Sequence, residues 1–266
     1  MKGGLAVALR LAAAVSEPTR DVTYVFYDCE EVEQSRNGLA RLQRERPDRL
    51  MADLAVLMEP TGGVVEAGCQ GTMRVEVVAA GRRAHSARSW MGENAIHAAG
   101  EILVRLNRYG PRKPVIDGLE FHEGLNAVFV SGGVAGNVIP DRCTVTVNYR
   151  FAPDITTEYA EGWLRDFFDG FDVTVVDSAP GALPGLDRTA AAAFVDAVGA
   201  ADSVRPKFGW TDVARFAAEG IAAVNYGPGD PSLAHTAAEH VADAEIVQCE
   251  DRLRAWLAPT LASVNR

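Results

Sequence analysis

The sequence is short of cysteine, has no excess of positive charge and no long apolar run, and each shortage narrows what the chain can be. Four cysteines, at positions 29, 69, 143 and 249, are scattered through 266 residues. No two are spaced as a zinc knuckle or a redox CxxC, and the scatter suits a reducing compartment, so a cytoplasmic protein is expected. Lys plus Arg number 26 against 36 Asp plus Glu, a formal net charge of −10. Such an acidic chain is repelled by nucleic acid and by anionic membrane, which argues against a general binder of either. A local basic pocket for an acidic small molecule stays open. No apolar run is long enough to span a bilayer. Apolar residues do follow Met1-Lys2, but Arg10 interrupts them and Gly3-Gly4 stands where the apolar part of a signal peptide begins. An amphipathic helix is the better reading of that stretch. Internal repeats are missing, and the short alanine runs are ordinary helix formers.

What is present is the composition of a globular chain: 48% hydrophobic and 23% charged residues. A chain of this length makes one large domain or two modest ones, and buries a core without disulfides. Residues 4–15 and 38–46 read as helices, and the apolar runs VTYVFY at 22–27 and LAVLM at 54–58 as buried strands. Such runs between helices predict a parallel sheet covered on both faces. The pattern changes near Thr72. Strands at 73–80, 125–131, 143–151 and 171–176 and helices at 94–108 and 156–168 follow in the order βαββαβ, the split-βαβ or ferredoxin-like unit. Helices at 188–198, 211–219 and 244–261 and a strand at 221–226 then restore the first pattern. The expected architecture is an α/β domain over residues 1–71 and 179–266, with a βαββαβ unit inserted at 72–178.

In open α/β sheets, ligands bind beyond the carboxyl ends of the strands. Three predicted strands end there in groups of one chemical type. One runs into Asp28-Cys29-Glu30-Glu31, one into Glu59-Pro60-Thr61-Gly62-Gly63, and one through Gly227-Pro228-Gly229-Asp230 to His235. Carboxylates and a histidine gathered on one edge suit a borderline metal such as zinc. In extended chain, adjacent side chains point oppositely, so one of two neighbouring glutamates can bind metal while the other faces substrate as a base. The bland reading of Glu30-Glu31 is a solvated loop, and only the two further strand ends bring the pair into question. His85 lies in a basic loop after a strand, where it could meet an anion or simply face solvent. His97 reads as structural, and His122 and His240 as surface residues. The glycine-rich stretch at 132–140 is not a dinucleotide loop, because no GxGxxG precedes a helix. Asn137 within it can present an amide to substrate or cap a turn. Cys29 has no Cys–His–Asx arrangement around it and is not read as a nucleophile.

In order along the chain, Met1-Lys2-Gly3-Gly4, Asp28-Cys29-Glu30-Glu31, Glu59-Pro60-Thr61, Gly81…Ala84-His85-Ser86, Gly136-Asn137-Val138-Ile139-Pro140 and Ala234-His235-Thr236…Glu239 resemble the motifs of the zinc-dependent aminoacylase/carboxypeptidase/desuccinylase family. Within it, Glu66–Thr72 (EAGCQGT), AHSARSW at 84–90, Gly209-Trp210-Thr211-Asp212-Val213 and Gly229-Asp230-Pro231 are most similar to the actinobacterial desuccinylases. The resemblance implies hydrolysis of N-succinyl-LL-2,6-diaminopimelate to succinate and diaminopimelate, in lysine and cell-wall precursor synthesis. It implies two zinc ions per intact subunit, with cobalt as an alternative, and an N-acyl amino acid as the small-molecule partner. It further implies a homodimer through the inserted lid. By the same resemblance Glu30 is the general base, Glu31 and His235 bind one zinc and Glu59 the other. The partner subunit's His85 stabilises the oxyanion, and Asn137, Arg150 and Thr211 contact substrate, Arg150 by pairing with a carboxylate.

Two departures from the family pattern follow. The family also uses a His-x-Asp segment upstream and an Asp directly before Met-Lys-Gly-Gly, and this sequence begins at Met1. The expectation is an N-terminally shortened chain whose catalytic domain and metal site are incomplete. Gln70-Gly71-Thr72 stands where some desuccinylases have Arg-Gly-Ser, which removes one carboxylate contact. The competing readings are an acetylornithine deacetylase or another acylase of the family, and a catalytically inactive fragment that only dimerises.

Overall fold

The computed structural model describes residues 1–30 and 36–258. The elements run α1 (Lys2–Ala14), α2 (Gly38–Glu45), β1 (Leu54–Leu57), β2 (Glu66–Ala67), β3 (Gly71–Ala80), β4 (Ala84–His85), α3 (Ala95–Arg108), β5 (Val115–Ile116), β6 (Leu119–Glu120), β7 (Gly124–Gly132), β8 (Val138–Ile139), β9 (Arg142–Phe151), α4 (Thr157–Phe167), β10 (Asp172–Ala179), α5 (Thr189–Ala197), β11 (Arg205–Pro206), α6 (Val213–Ala218), β12 (Ala222–Asn225) and α7 (Asp243–Leu257). They form two compact units. One comprises Met1–Gly68, Leu183–Lys207 and Thr211–Arg266, the other Cys69–Ala182 and Phe208–Trp210.

The second unit shows the alternation that the sequence displays. Along β9 every second residue from Cys143 to Phe151 is buried while its neighbours are half-exposed. Those inward residues pack with Met73, Val75 and Val77 of β3, Ile102 of α3 and Leu164 of α4 in one core. The four strands lie in the order β10-β3-β9-β7, all antiparallel, which is the split-βαβ arrangement. Two chain ends of this pattern are set by caps. Asn94 accepts from the backbone N–H groups of Ile96 and His97 at the start of α3, and Thr156 accepts from Tyr159 at the start of α4.

The first unit has a four-stranded sheet in the order β1-β12-β2-β11. β1 and β12 are parallel, but β2 runs antiparallel to β12, so the sheet is mixed rather than all-parallel. β2 and β11 are two residues each, too short to leave a periodic signal. Helix α1 buries Gly4, Val7 and Leu11, a stripe at three- and four-residue spacing. Val7 and Leu11 pack with Cys249, Leu253 and Leu257 of α7 and with Phe194, Val224 and Tyr226.

One expected element is not formed. Residues 22–27 make no strand, and Phe26 is half-exposed. A strand needs a hydrogen-bonded neighbour, and among the described residues no strand pairs with this segment. A groove of about 780 Å³, lined by Thr23, Val25 and Phe26 on one side and by Leu54–Leu57 on the other, lies between it and β1. The apolar run is real, but the partner that would make it a buried strand is not among the described residues.

Candidate active site

The end of β1 and the end of β12 are interlocked. Glu59-Pro60-Thr61 follows β1, and Gly227-Pro228-Gly229 follows β12. The Thr61 hydroxyl donates to Gly227 O at 3.1 Å and accepts from Gly227 N at 3.1 Å. Gly63 N donates to Gly227 O at 3.0 Å, and Gly62 N to Gly229 O at 2.7 Å. The approach is close enough that a Cβ on Gly227 would lie 2.5 Å from Glu59 O. Glycine is used there for space, not for a special backbone angle. Gly4 of α1 does the same on the other side, since its Cβ would fall 2.3 Å from Met58 O. Two small residues thus fix the backbone just before and at Glu59.

The segment Asp28-Cys29-Glu30 is held against the start of α2. Gly38 N donates to Asp28 O at 2.9 Å, and the Asn37 amide donates to Glu30 O at 3.4 Å. Cys29 has φ 57° and His235 φ 62°. Left-handed backbone is uncommon outside glycine, and such residues cluster at functional sites. Both belong to the segments read as chemical from the sequence. Tyr27 lies among the carboxylates: burial raises its phenol far above the usual range, and Asp212, Glu30 and Glu59 push the same way. Tyr27, Glu30 and Glu59 line the same groove, which brings the segment after residue 27 and the end of β1 to one place.

His235 follows a short 3-10 turn, Pro231–Leu233, and its backbone N–H donates to Glu239 Oε2 at 2.8 Å. Glu31 lies outside the described residues. Among the described residues, no three His, Cys, Asp or Glu side chains come together as a metal-binding group. The donors at the strand ends, Glu59 carboxylate and His235 imidazole, are of the kind that zinc takes. Thr211 is buried one residue before Asp212.

In the second unit, β4 pairs with β8 so that His85 stands opposite Val138, and Ser86 N donates to Asn137 O at 2.9 Å. His85 and Asn137 therefore share one platform. His85 Nδ1 accepts from Ala87 N at 3.0 Å, which leaves the neutral ring's proton on Nε2, a donor. Arg150 sits near the end of β9, opposite Thr72 and Gly124. Burial lowers the pKa of its guanidinium, while Asp177 and Cys69 act in the opposite direction. A half-buried cation of this kind suits an incoming carboxylate. Gln70 is 2% exposed and donates to His122 O at 2.7 Å, so it is engaged in the fold. His122 itself is tied to Glu120 Oε1 at 2.6 Å and packs on Phe208.

Asn37 escaped the sequence reading, and Tyr27, Thr61, Asp212 and Gly227 entered it only as members of quoted stretches, without a role of their own. Asn37 had a usable signal, because Asn before Gly and a periodic stretch marks a helix cap. Gly227 and Thr61 had none, since their role is a contact between loops far apart in sequence.

Comparison with known proteins gives the family. The family model of the peptidase dimerisation domain matches residues 68–172. A protein of Mycobacterium tuberculosis named as a succinyl-diaminopimelate desuccinylase is 58% identical over 259 residues, 97% of this chain and 73% of that one. The succinyl-diaminopimelate desuccinylase of Corynebacterium glutamicum is 46% identical over 266 residues, 97% of this chain and 72% of that one. Among solved structures, aminopeptidase PepT from Bacillus cereus shares the fold with a TM-score of 0.71 at 19% identity, over 96% of this chain and 69% of that one. The family model and these relatives define a hydrolase of the metallopeptidase class. The chain belongs to the M20 peptidase family, in its succinyl-diaminopimelate desuccinylase branch.

Proposed function

We propose that the protein hydrolyses the amide of N-succinyl-LL-2,6-diaminopimelate, releasing succinate and LL-diaminopimelate, with Glu30 as general base. The observation that carries this reading is that Glu30 and Glu59 line one groove with Tyr27, in a chain 58% identical to a named desuccinylase. Glu30 takes a proton from water on a carboxylate oxygen and returns it to the nitrogen of the leaving amine. Nε2–H of the partner subunit's His85 donates to the carbonyl oxygen as it gains charge. Arg150 pairs with a substrate carboxylate, Asn137 offers its amide, and Thr211 is the remaining substrate contact. Glu31, His235 and Glu59 would hold zinc, two ions per subunit, with cobalt as a substitute. When bound, the metal supplies Lewis acidity and an acidified water.

The dimer is proposed to form through β7. This edge strand is nine residues long and exposes Val128, Phe129 and Val130 at 46%, 70% and 58%. A long exposed apolar edge is a template for pairing with a second copy. Four free thiols support a reducing, cytoplasmic setting.

The test is hydrolysis by the zinc-loaded protein of succinyl-diaminopimelate against acetylornithine. Preference for the succinylated substrate is expected. Equal or inverted preference overturns the substrate assignment, and turnover of neither overturns the enzymatic reading of this chain in favour of a module that only dimerises.

A further inference from the structure

We propose that Asn37 and Asp212 form a buried clamp that sets the position of Glu30, as positioning residues for the hydrolysis. The proposal rests on the reading of Glu30 as general base. Asn37 is 1% exposed and Asp212 is fully buried. Asn37 Oδ1 accepts from Ala40 N at 2.9 Å, which caps α2 and fixes which end of the amide faces the helix. The other end, Nδ2, is then directed at Glu30 O at 3.4 Å and at Asp212 Oδ2 at 3.3 Å. Asp212 Oδ1 accepts from Arg215 Nε at 2.6 Å, and the Tyr27 phenol lies against the same carboxylate. The carboxylate thus draws on three different parts of the chain: the segment before Glu30, the cap of α2 and the first turn of α6.

Neither partner is explained by packing or capping alone. Ser, Thr or Asp would cap α2 equally well, but none offers the amide hydrogens that reach Glu30 O and Asp212 together. A buried ion pair such as Asp212–Arg215 adds little stability beyond what an apolar pair of the same shape would give. Its use here is to hold a fixed acceptor oxygen toward Asn37. The backbone it governs needs holding. Cys29, between Asp28 and Glu30, sits at φ 57°, a conformation that persists only where its surroundings over-determine it. Gly38 completes the strap: its N–H bonds Asp28 O at 2.9 Å, and a Cβ there would lie 2.6 Å from Asp28 Oδ1.

The probe is Asn37→Ser, which keeps the helix cap and is too short to bridge Glu30 O and Asp212. Two readouts are taken on the zinc-loaded chain: amide hydrogen exchange, and hydrolysis of succinyl-diaminopimelate. The Gly38 amide, bonded to Asp28 O, should exchange at least tenfold faster. The Tyr226 amide, bonded to Leu57 O at 2.8 Å in the sheet, should keep its protection. The value of kcat should fall at least tenfold with KM within twofold of the parent. Asp212→Ala, which removes the acceptor, should give the same signature. Unchanged Gly38 exchange in Asn37→Ser overturns the clamp, whatever happens to the rate. So does equal loss of protection at Tyr226, which would mark general destabilisation, or a raised KM with kcat intact. Should the parent chain show no hydrolysis, the proposed function fails, and the exchange pattern still decides whether the clamp exists.

Discussion

Gly227→Ala tests whether the strand ends are held by contact. Gly227 has an ordinary backbone angle, so alanine is conformationally tolerated. Elsewhere such a change would stabilise by about 0.4–1 kcal/mol through the unfolded chain. Here the new Cβ meets Glu59 O at 2.5 Å and the Met58 carbonyl at 3.1 Å. Both are backbone atoms, so no side chain can swing aside. Reaching ordinary contact near 3.4 Å requires the two loops to part by about 0.9 Å. The hydrogen bonds spanning that gap run from 3.0 to 3.3 Å (Thr61 Oγ1 and N, Gly63 N, and Gly227 N itself). Parting by that distance breaks most of them, and each is worth about 0.5–1.5 kcal/mol net. Relaxation shares the strain, and overpacking of this size typically costs about 1–3 kcal/mol. The expected result is a net loss of about 1–2 kcal/mol in urea denaturation, with unchanged m-value. A loop displaced by a fraction of an ångström at Glu59 should also lower kcat by about 10²-fold. A variant as stable as the parent, with kcat intact, would show that the two loops are not held in contact and that the account of Glu59's placement is wrong.

Further outcomes follow from the same geometry. Glu30→Gln should keep the melting temperature within a few degrees while lowering kcat by about 10²–10⁴-fold; retained activity in a steady-state assay would remove Glu30 from the base role. Phe129→Asp, on the exposed edge of β7, should shift a dimer to monomer in sedimentation velocity, and an unchanged dimer would move the interface elsewhere. Native thiol titration should find one fast cysteine, Cys29, because Cys69, Cys143 and Cys249 are buried and burial pushes the Cys249 thiol up to about 12; four fast thiols without denaturant would contradict the core packing. Gly100→Ala, at a position in α3 with open space around the added methyl, should stabilise by about 0.5–1 kcal/mol, and a loss in the same denaturation assay would mean the helix face is occupied.

The second unit was the more legible in sequence, because its strands have one wet face. In β3 and β9 alternation carries the register directly, and the buried positions of CTVTVNYRF fall where period two puts them. The first unit was harder for a physical reason. A fully apolar run such as VTYVFY says that a segment can be buried, not what pairs with it. Residues 22–27 lack a strand partner among the described residues and stay partly exposed. β2 and β11 are too short for any period to register, which is why the mixed character of the sheet was unreadable.

The candidate site divides along the same line. The groups to which the proposed function gives chemistry, Glu30, Glu59 and His235, were visible because carboxylates and imidazole after apolar runs are unusual enough to count. The groups that hold them were not, because holding is done by ordinary residues whose meaning is relational. Gly227 is a glycine among 25, and only its distance from Glu59 O shows why a side chain would not fit. Asn37 looks like a helix cap and is one, yet the same amide reaches a buried carboxylate 175 residues further on. A local signature can therefore be fully satisfied while a second, distant function goes unread. This asymmetry has a practical consequence for variants of the chain. Replacing Asn37 with another good cap preserves every local rule of the sequence and should still disturb Glu30. Replacing a residue that breaks a local rule where there is open space around it, such as Gly100 within α3, should cost nothing at the site.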